Sequence, residues 1–145
     1  MHTENNLSTI IQYFITHNIT ISSAESCSGG LISKMITDIP GCSAIYPGGV
    51  CAYSNEMKIK WLNVKSSTLE QYGAVSAETA LEMAQGIRNV TGSDYGISTT
   101  GIAGPGGGSV KKPVGLVYIA CHVCGVTTVM EYHFKGNRDR IRENT

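Results

Sequence analysis

Ile19-Thr-Ile-Ser-Ser-Ala24 runs without a break into Glu25-Ser-Cys-Ser-Gly-Gly30, and the reading of this junction decides the fold. The first half is a short β-branched run of strand length. The second is small, polar and ends in two glycines. Leu31 to Ile39 then takes up helical spacing until Pro40-Gly41 stops it. A strand feeding a tight turn and then a helix is the opening unit of an α/β domain.

Outward from that junction the same alternation continues. On the N-terminal side, Leu7, Ile10, Ile11, Phe14 and Ile15 follow helical spacing and predict an amphipathic helix. On the C-terminal side, Tyr46-Pro-Gly-Gly-Val-Cys-Ala-Tyr53 reads as a turn and a strand. Ser54 and Asn55 are cap residues for a helix through Leu62. A short helix is expected around Ser67 to Tyr72, ended by Gly73. A longer one starts after Ser76, with Glu78 in its first turn, an apolar stripe over Ala77, Ala80, Leu81, Ala84 and Ile87, and Gly92 as its stop. Tyr95 to Thr99 reads as a strand followed by the loop Thr100-Gly-Ile-Ala-Gly-Pro-Gly-Gly-Gly108. Val114 to His122 and Val126 to Phe134 form a hairpin around Cys124-Gly125, and Asn137 opens a charged helical pattern. The fold expected is a three-layer α/β/α sandwich on a mixed, mostly parallel sheet with a late β-hairpin, in a single domain over residues 1–145.

The totals narrow the function classes. Eleven basic residues balance eleven acidic ones, and no segment carries a dense basic run, so nucleic acid is not an expected partner. Apolar stretches are only a few residues long, which argues against a membrane span. The N-terminus, Met1-His-Thr-Glu-Asn-Asn6, lacks the pattern of a signal peptide, so a cytoplasmic location is expected. Cysteines at 27, 42, 51, 121 and 124 are odd in number and fit reduced thiols better than a disulfide framework. Cys121-His-Val-Cys124 has CxxC spacing, but no second pair or following His pair completes a zinc site.

Ligands of open α/β sheets bind beyond the carboxyl ends of the strands, and two glycine-rich segments fall there, after Ala24 and after Thr99. Ser26 sits at the first. A hydroxyl there is either a helix cap, as Ser28 also is, or a nucleophile beside unpaired N–H groups suited to an oxyanion. His2, His17, His122 and His133 accompany neither glycine-rich segment, so a Ser-His-Asp triad has little support. Lys58 is the better base. It falls in the first turn of a helix, where the dipole disfavours a cation, and burial lowers a lysine pKa further. Tyr53 either relays the proton or holds the amine, or is a core tyrosine. Cys27 is a rival nucleophile, since a thiol near a helix start gains thiolate character. The Thr99–Pro105 loop offers hydroxyls and backbone N–H groups to a phosphate or sugar. Arg138, Arg140 and Arg142 either reach an anion there or line a solvated helix face.

AESCSGG (24–30), Gly49-Val-Cys-Ala-Tyr-Ser-Asn-Glu-Met-Lys58, YGAVSAET (72–79), GIAGPGGG (101–108), KPVGLVYIA (112–120) and GNRDRIR (136–142) occur in this order. Together they resemble the C-terminal domain of the CinA competence-damage-inducible family, whose stand-alone form is similar to the nicotinamide mononucleotide (NMN) deamidases of the PncC type. The resemblance covers nearly the whole chain. It implies hydrolysis of the NMN carboxamide to nicotinate mononucleotide and ammonia, a salvage step in NAD metabolism, without metal or organic cofactor, in a homo-oligomer. It implies Ser26, Tyr53 and Lys58 as catalytic residues. The two glycine-rich segments and the late arginines give the substrate-binding residues expected: Cys27, Ser28, Gly29, Gly30, Thr99, Thr100, Gly101, Ala103, Gly104, Arg138 and Arg142. Two features depart from the family pattern: Ser28 stands where threonine is usual, and such domains carry a further C-terminal helix after the last motif, without which one sheet face lacks cover. The competing expectation is a catalytically silent nucleotide-binding module in a competence or DNA-damage assembly.

Overall fold

The computed structural model of the chain describes residues 2–145, and their side chains from Asn6 onward. Met1 and the side chains of residues 2–5, on which the reading of the N-terminus and of His2 depended, lie outside the described residues. The elements follow in the order α1 (His2–His17), β1 (Ile21–Glu25), α2 (Leu31–Thr37), a 3-10 turn (Cys42–Ala44), β2 (Gly48–Cys51), α3 (Asn55–Leu62), α4 (Ser66–Tyr72), α5 (Ala77–Thr91), β3 (Tyr95–Gly101), β4 (Leu116–Val123), β5 (Val126–His133) and α6 (Arg138–Asn144).

The strands form one open sheet in the order β2-β1-β3-β4-β5. β1 pairs in parallel with β2 and β3, and β4 runs antiparallel to both β3 and β5. Four strands therefore point one way and only β4 opposes them, so the sheet is mixed and mostly parallel as expected. β1 lies inside, with Ala24 opposite Val50 on one side and Ser98 on the other. This placement carries the end of β1, and with it Ser26, between two neighbouring chain segments.

Side chains alternate across the sheet. Ala24 packs on one face with Leu62, Val64, Leu69, Met83 and Ile87 of the α3–α5 layer. Ser23 points the other way, to Ser33 on α2 and Tyr46. That second layer holds Ile11, Ile36 and Ile45, all buried, and α6 adds Ile141 against Cys27, Ala103 and Val117. Each such buried Ile or Leu contributes about 1.5–3 kcal/mol. Beyond α6 the second layer thins out: Met130, opposite Ile119, is 48% exposed and Val126 64%.

Boundaries shift where local hydrogen bonds take over. β1 starts at Ile21 rather than Ile19, because the Ile19 N–H closes onto the Phe14 carbonyl and Thr20 is tied to the Asp94 carboxylate. β3 extends through Gly101, drawing Thr100 and Gly101 out of the glycine loop into the sheet. α2 begins at Leu31, after a turn in which Gly29 and Gly30 adopt φ of +63° and +97°. A side chain is strained in that region, so the two glycines are what lets the chain leave β1 and re-enter as a helix. Among the described residues no helix is long and apolar enough to cross a membrane.

Candidate active site

The Ser26 N–H donates to the Thr99 carbonyl (3.0 Å), extending the β1–β3 pairing one step past the strand, and the Ser26 carbonyl then accepts from the Gly29 N–H (3.1 Å). The hydroxyl is thereby held at a turn, between strand and helix. The start of α2 differs from expectation. Its unpaired N–H groups are already taken by the last side chain of β1: the buried Glu25 carboxylate accepts from the N–H groups of Gly30 (2.9 Å), Ile32 (3.1 Å) and Ser33 (2.8 Å). It also accepts from the hydroxyls of Ser28 (2.7 Å) and Ser33 (2.7 Å). A carboxylate complements the positive end of a helix dipole, so this end of α2 has no donors to spare for an oxyanion or phosphate.

Lys58 arrives from the other side. Ser54 caps α3 by accepting from the Met57 N–H (3.2 Å), and the next residue, Lys58, turns inward and is only 1% exposed. Its Nζ lies 3.1 Å from Ser26 Oγ, 2.9 Å from the Ala52 carbonyl and 3.4 Å from the Tyr53 carbonyl. Among the described residues no carboxylate pairs with it. Burial pushes its pKa below the ordinary lysine value. All three partners are oxygens that accept from Nζ, and together they hold the amine against the Ser26 hydroxyl.

The Cys27 thiol behaves oppositely to the thiolate reading. Burial pushes its pKa up to about 11, outweighing the hydrogen bonds and the Lys58 charge that lower it, so it stays protonated near neutrality. Lys60, two residues further along α3, is exposed. Of the histidines with described side chains, His17 stacks on Tyr13, His122 bonds Thr127 and His133 bonds Glu131, all away from Ser26. Cys121 and Cys124 are free thiols on the hairpin, and no metal-holding cluster occurs among the described residues.

A cavity of about 220 Å³ opens over the serine. Ser26, Cys27 and Lys58 form its base, Thr100, Gly101 and Ala103 one side, and Tyr53 and Arg138 the rim. Ala74 and Val75, which sequence reasoning missed, close the remaining wall. The Thr100 hydroxyl is committed to the Ala74 carbonyl (2.7 Å), which fixes that wall. Arg138 donates to the Gly104 carbonyl (2.7 Å) and to the Tyr53 hydroxyl (2.9 Å), so Tyr53 reaches Lys58 through its carbonyl and Arg138 through its phenol.

The rest of the expected substrate-binding set lies outside the cavity lining. Ser28 and Thr99 are buried and bond each other (2.8 Å). Gly29 and Gly30 shape the turn, and Gly104 contributes its carbonyl to Arg138. Arg142 turns back to the Ser28 carbonyl (3.2 Å) and packs beside Gly29. The signal for Glu25 was available in the alternation of β1: with Ala24 facing α5, Glu25 had to face α2. Ala74 and Val75 lie within the YGAVSAET motif (72–79), but only the packing of the α4–α5 connection shows that they line the cavity.

Fold and pocket define an open α/β sandwich in which the central parallel strand delivers a serine to a buried lysine. The chain belongs to the CinA C-terminal domain family, whose model matches residues 4–145. A protein of Clostridium novyi named as a competence-damage inducible protein is 53% identical over 131 residues, and one of Acetivibrio thermocellus is 55% identical over 132. These matches cover 90% of this chain but 32% of each relative, so the chain spans about a third of their length. Among solved structures, the competence/damage inducible protein CihA of Agrobacterium tumefaciens superposes with a TM-score of 0.93 at 41% identity, covering 96% of this chain and 86% of that one. A CinA superfamily protein of Escherichia coli gives 0.91 at 32% identity, with 96% and 81% covered.

Proposed function

We propose that the chain is an amidohydrolase acting on the carboxamide of NMN, with Ser26 as nucleophile and Lys58 as base. The observation that carries this reading is the 3.1 Å approach of a buried, carboxylate-free Lys58 amine to the Ser26 hydroxyl. The choice of NMN rests on the family motifs and on an arginine, Arg138, at the rim of the pocket. A guanidinium placed there suits a phosphate-bearing substrate.

Lys58 Nζ takes the hydroxyl proton as Ser26 Oγ bonds to the carboxamide carbon, and the carbonyl π pair moves onto oxygen. Collapse of that adduct breaks the C–N bond, and the departing nitrogen takes the proton back from Lys58 and leaves as ammonia. Water, deprotonated by the same amine, then attacks the ester and restores Ser26, releasing nicotinate mononucleotide. Tyr53 holds the amine through its carbonyl and Arg138 through its hydroxyl, coupling the base to the rim.

Ammonia release from NMN tests the reading, with Ser26→Ala and Lys58→Met beside the parent. The expected result is turnover in the parent and a loss of at least roughly a thousandfold in kcat for either variant. Tight binding without turnover in the parent supports the second reading, a silent nucleotide-binding module. That reading is favoured only by the Gly104–Arg138–Tyr53 bridge, which needs no chemistry at Ser26. Activity that survives in Ser26→Ala removes the serine mechanism.

A further inference from the structure

We propose that the backbone N–H of Gly101, with that of Cys27, is the donor pair that holds the oxyanion formed at Ser26. The inference rests on the serine reading above and names the electrophilic half of that site. It begins from an exclusion: the start of α2, the obvious donor group beside Ser26, is filled by Glu25.

Two strand ends remain. In the antiparallel β3–β4 pair, N–H groups along β3 alternate between β4 and β1. Ile102 donates to the Leu116 carbonyl, so the preceding N–H, that of Gly101, is directed to the β1 side. β1 ends at Glu25, and its last contact with β3 is the Ser26 N–H on Thr99. The carbonyl that would have continued the ladder belongs to Ser26 and accepts instead from Gly29. Among the described residues the Gly101 N–H therefore has no carbonyl partner, and Gly101 lines the cavity beside Ser26 and Lys58.

Gly101 has no room for a side chain. A Cβ there would lie 2.7 Å from Val117 Cγ2 and 2.8 Å from the Leu116 carbonyl, so glycine keeps this peptide unit against β4. Cys27 follows the nucleophile and occupies the second position of the Ser26–Gly29 turn, so its N–H is not used by that turn's hydrogen bond and meets only its own thiol, a weak acceptor that an oxyanion would displace. A donor on the residue after the nucleophile, paired with one from a neighbouring strand end, is a geometry that serves acyl transfer on α/β sheets. Rigid backbone donors of this kind need no reorganisation as charge develops.

Pyridine-3-boronic acid places a boron where the carboxamide carbon of the substrate ring would sit. Ser26 Oγ bonds to boron, its proton passes to Lys58, and a boron hydroxyl occupies the oxyanion position. In the 15N-labelled full chain, a tetrahedral boron signal with downfield shifts of the Gly101 and Cys27 amide protons is expected, while the Gly30, Ile32 and Ser33 amides stay in place. A tetrahedral adduct that leaves the Gly101 and Cys27 amides unmoved overturns the donor assignment and spares the serine. Absence of any adduct removes the serine reading and the assignment with it. A second arm replaces Gly101 by glycolic acid, exchanging only the N–H for an ester oxygen. The expected loss is roughly 10²–10³-fold in kcat at unchanged KM, and an unchanged kcat overturns the proposal.

Discussion

Lys58 is the residue on which stability and chemistry pull apart. An unfolded lysine titrates near ~10.4, whereas burial in the folded chain lowers its pKa. Between those two values the unfolded chain binds more protons. The contribution of Lys58 to stability therefore rises with pH, is complete above the ordinary lysine value, and is lost as pH falls through the folded one. The stability difference between the parent and Lys58→Met, from urea titrations at several pH values, should grow as pH rises across that window. A flat difference would mean that Lys58 titrates like an exposed lysine. Glu25 is the complementary case, a buried acid surrounded by N–H and O–H donors. Glu25→Gln turns an amide N–H₂ onto those donors and should cost about 2–3 kcal/mol, seen as a lower urea midpoint at constant slope. The two residues differed in legibility. The inward turn of Lys58 was foreshadowed by its place near a capped helix start. For Glu25 the side of the sheet was legible from the alternation of β1, but its capture of the α2 N–H groups was not, because that depends on the turn at Gly29 and Gly30.

At the scale of elements, α6 is short but carries Arg138 to the rim of the cavity and Arg142 to the turn after β1. Asn137 caps it by accepting from the Arg140 N–H (3.0 Å), and Ile141 anchors it in the core. Arg138 and Arg142, one turn apart, share a face; Arg140 between them is exposed. The charged helical pattern was plain in the sequence, but which arginine reached the pocket depended on where Ile141 seated the helix. Arg138→Ala should raise KM for NMN by at least roughly tenfold, since a charge-assisted hydrogen bond to phosphate contributes about 1.5–3 kcal/mol. Ile141→Ala should cost about 2–4 kcal/mol of stability and raise KM as well, because it loosens the element that carries Arg138. Steady-state kinetics beside thermal melts separates the two effects.

Across the whole molecule, the layers meet at distances that only glycine permits. A Cβ on Gly96 would lie 2.2 Å from the Ala84 carbonyl, and one on Gly86 would lie 2.0 Å from the Leu62 carbonyl. These contacts press α5 onto β3 and α3 onto α5. Gly96→Ala should therefore destabilise the chain by about 1–3 kcal/mol, measured as a fall in urea midpoint, although the position is far from Ser26 in sequence. The layered architecture and the reversed β4 were legible from alternation and from the hairpin around Cys124-Gly125. The close approaches were not, because a glycine inside a strand or helix looks the same whether it meets solvent or a backbone.

The pairing of β1 with β3 sets Ile21 against Tyr95, 74 residues further along the chain. Joining segments so far apart in the sequence carries a loop-closure entropy that local helices and hairpins do not. Until they join, Ser26 has no Thr99 carbonyl to fix its turn, and Gly101 is not beside it. On the serine reading proposed above, the approach of Lys58 to Ser26 exists only in the native topology, so turnover of NMN should report completed folding and a misfolded copy should be inert rather than promiscuous.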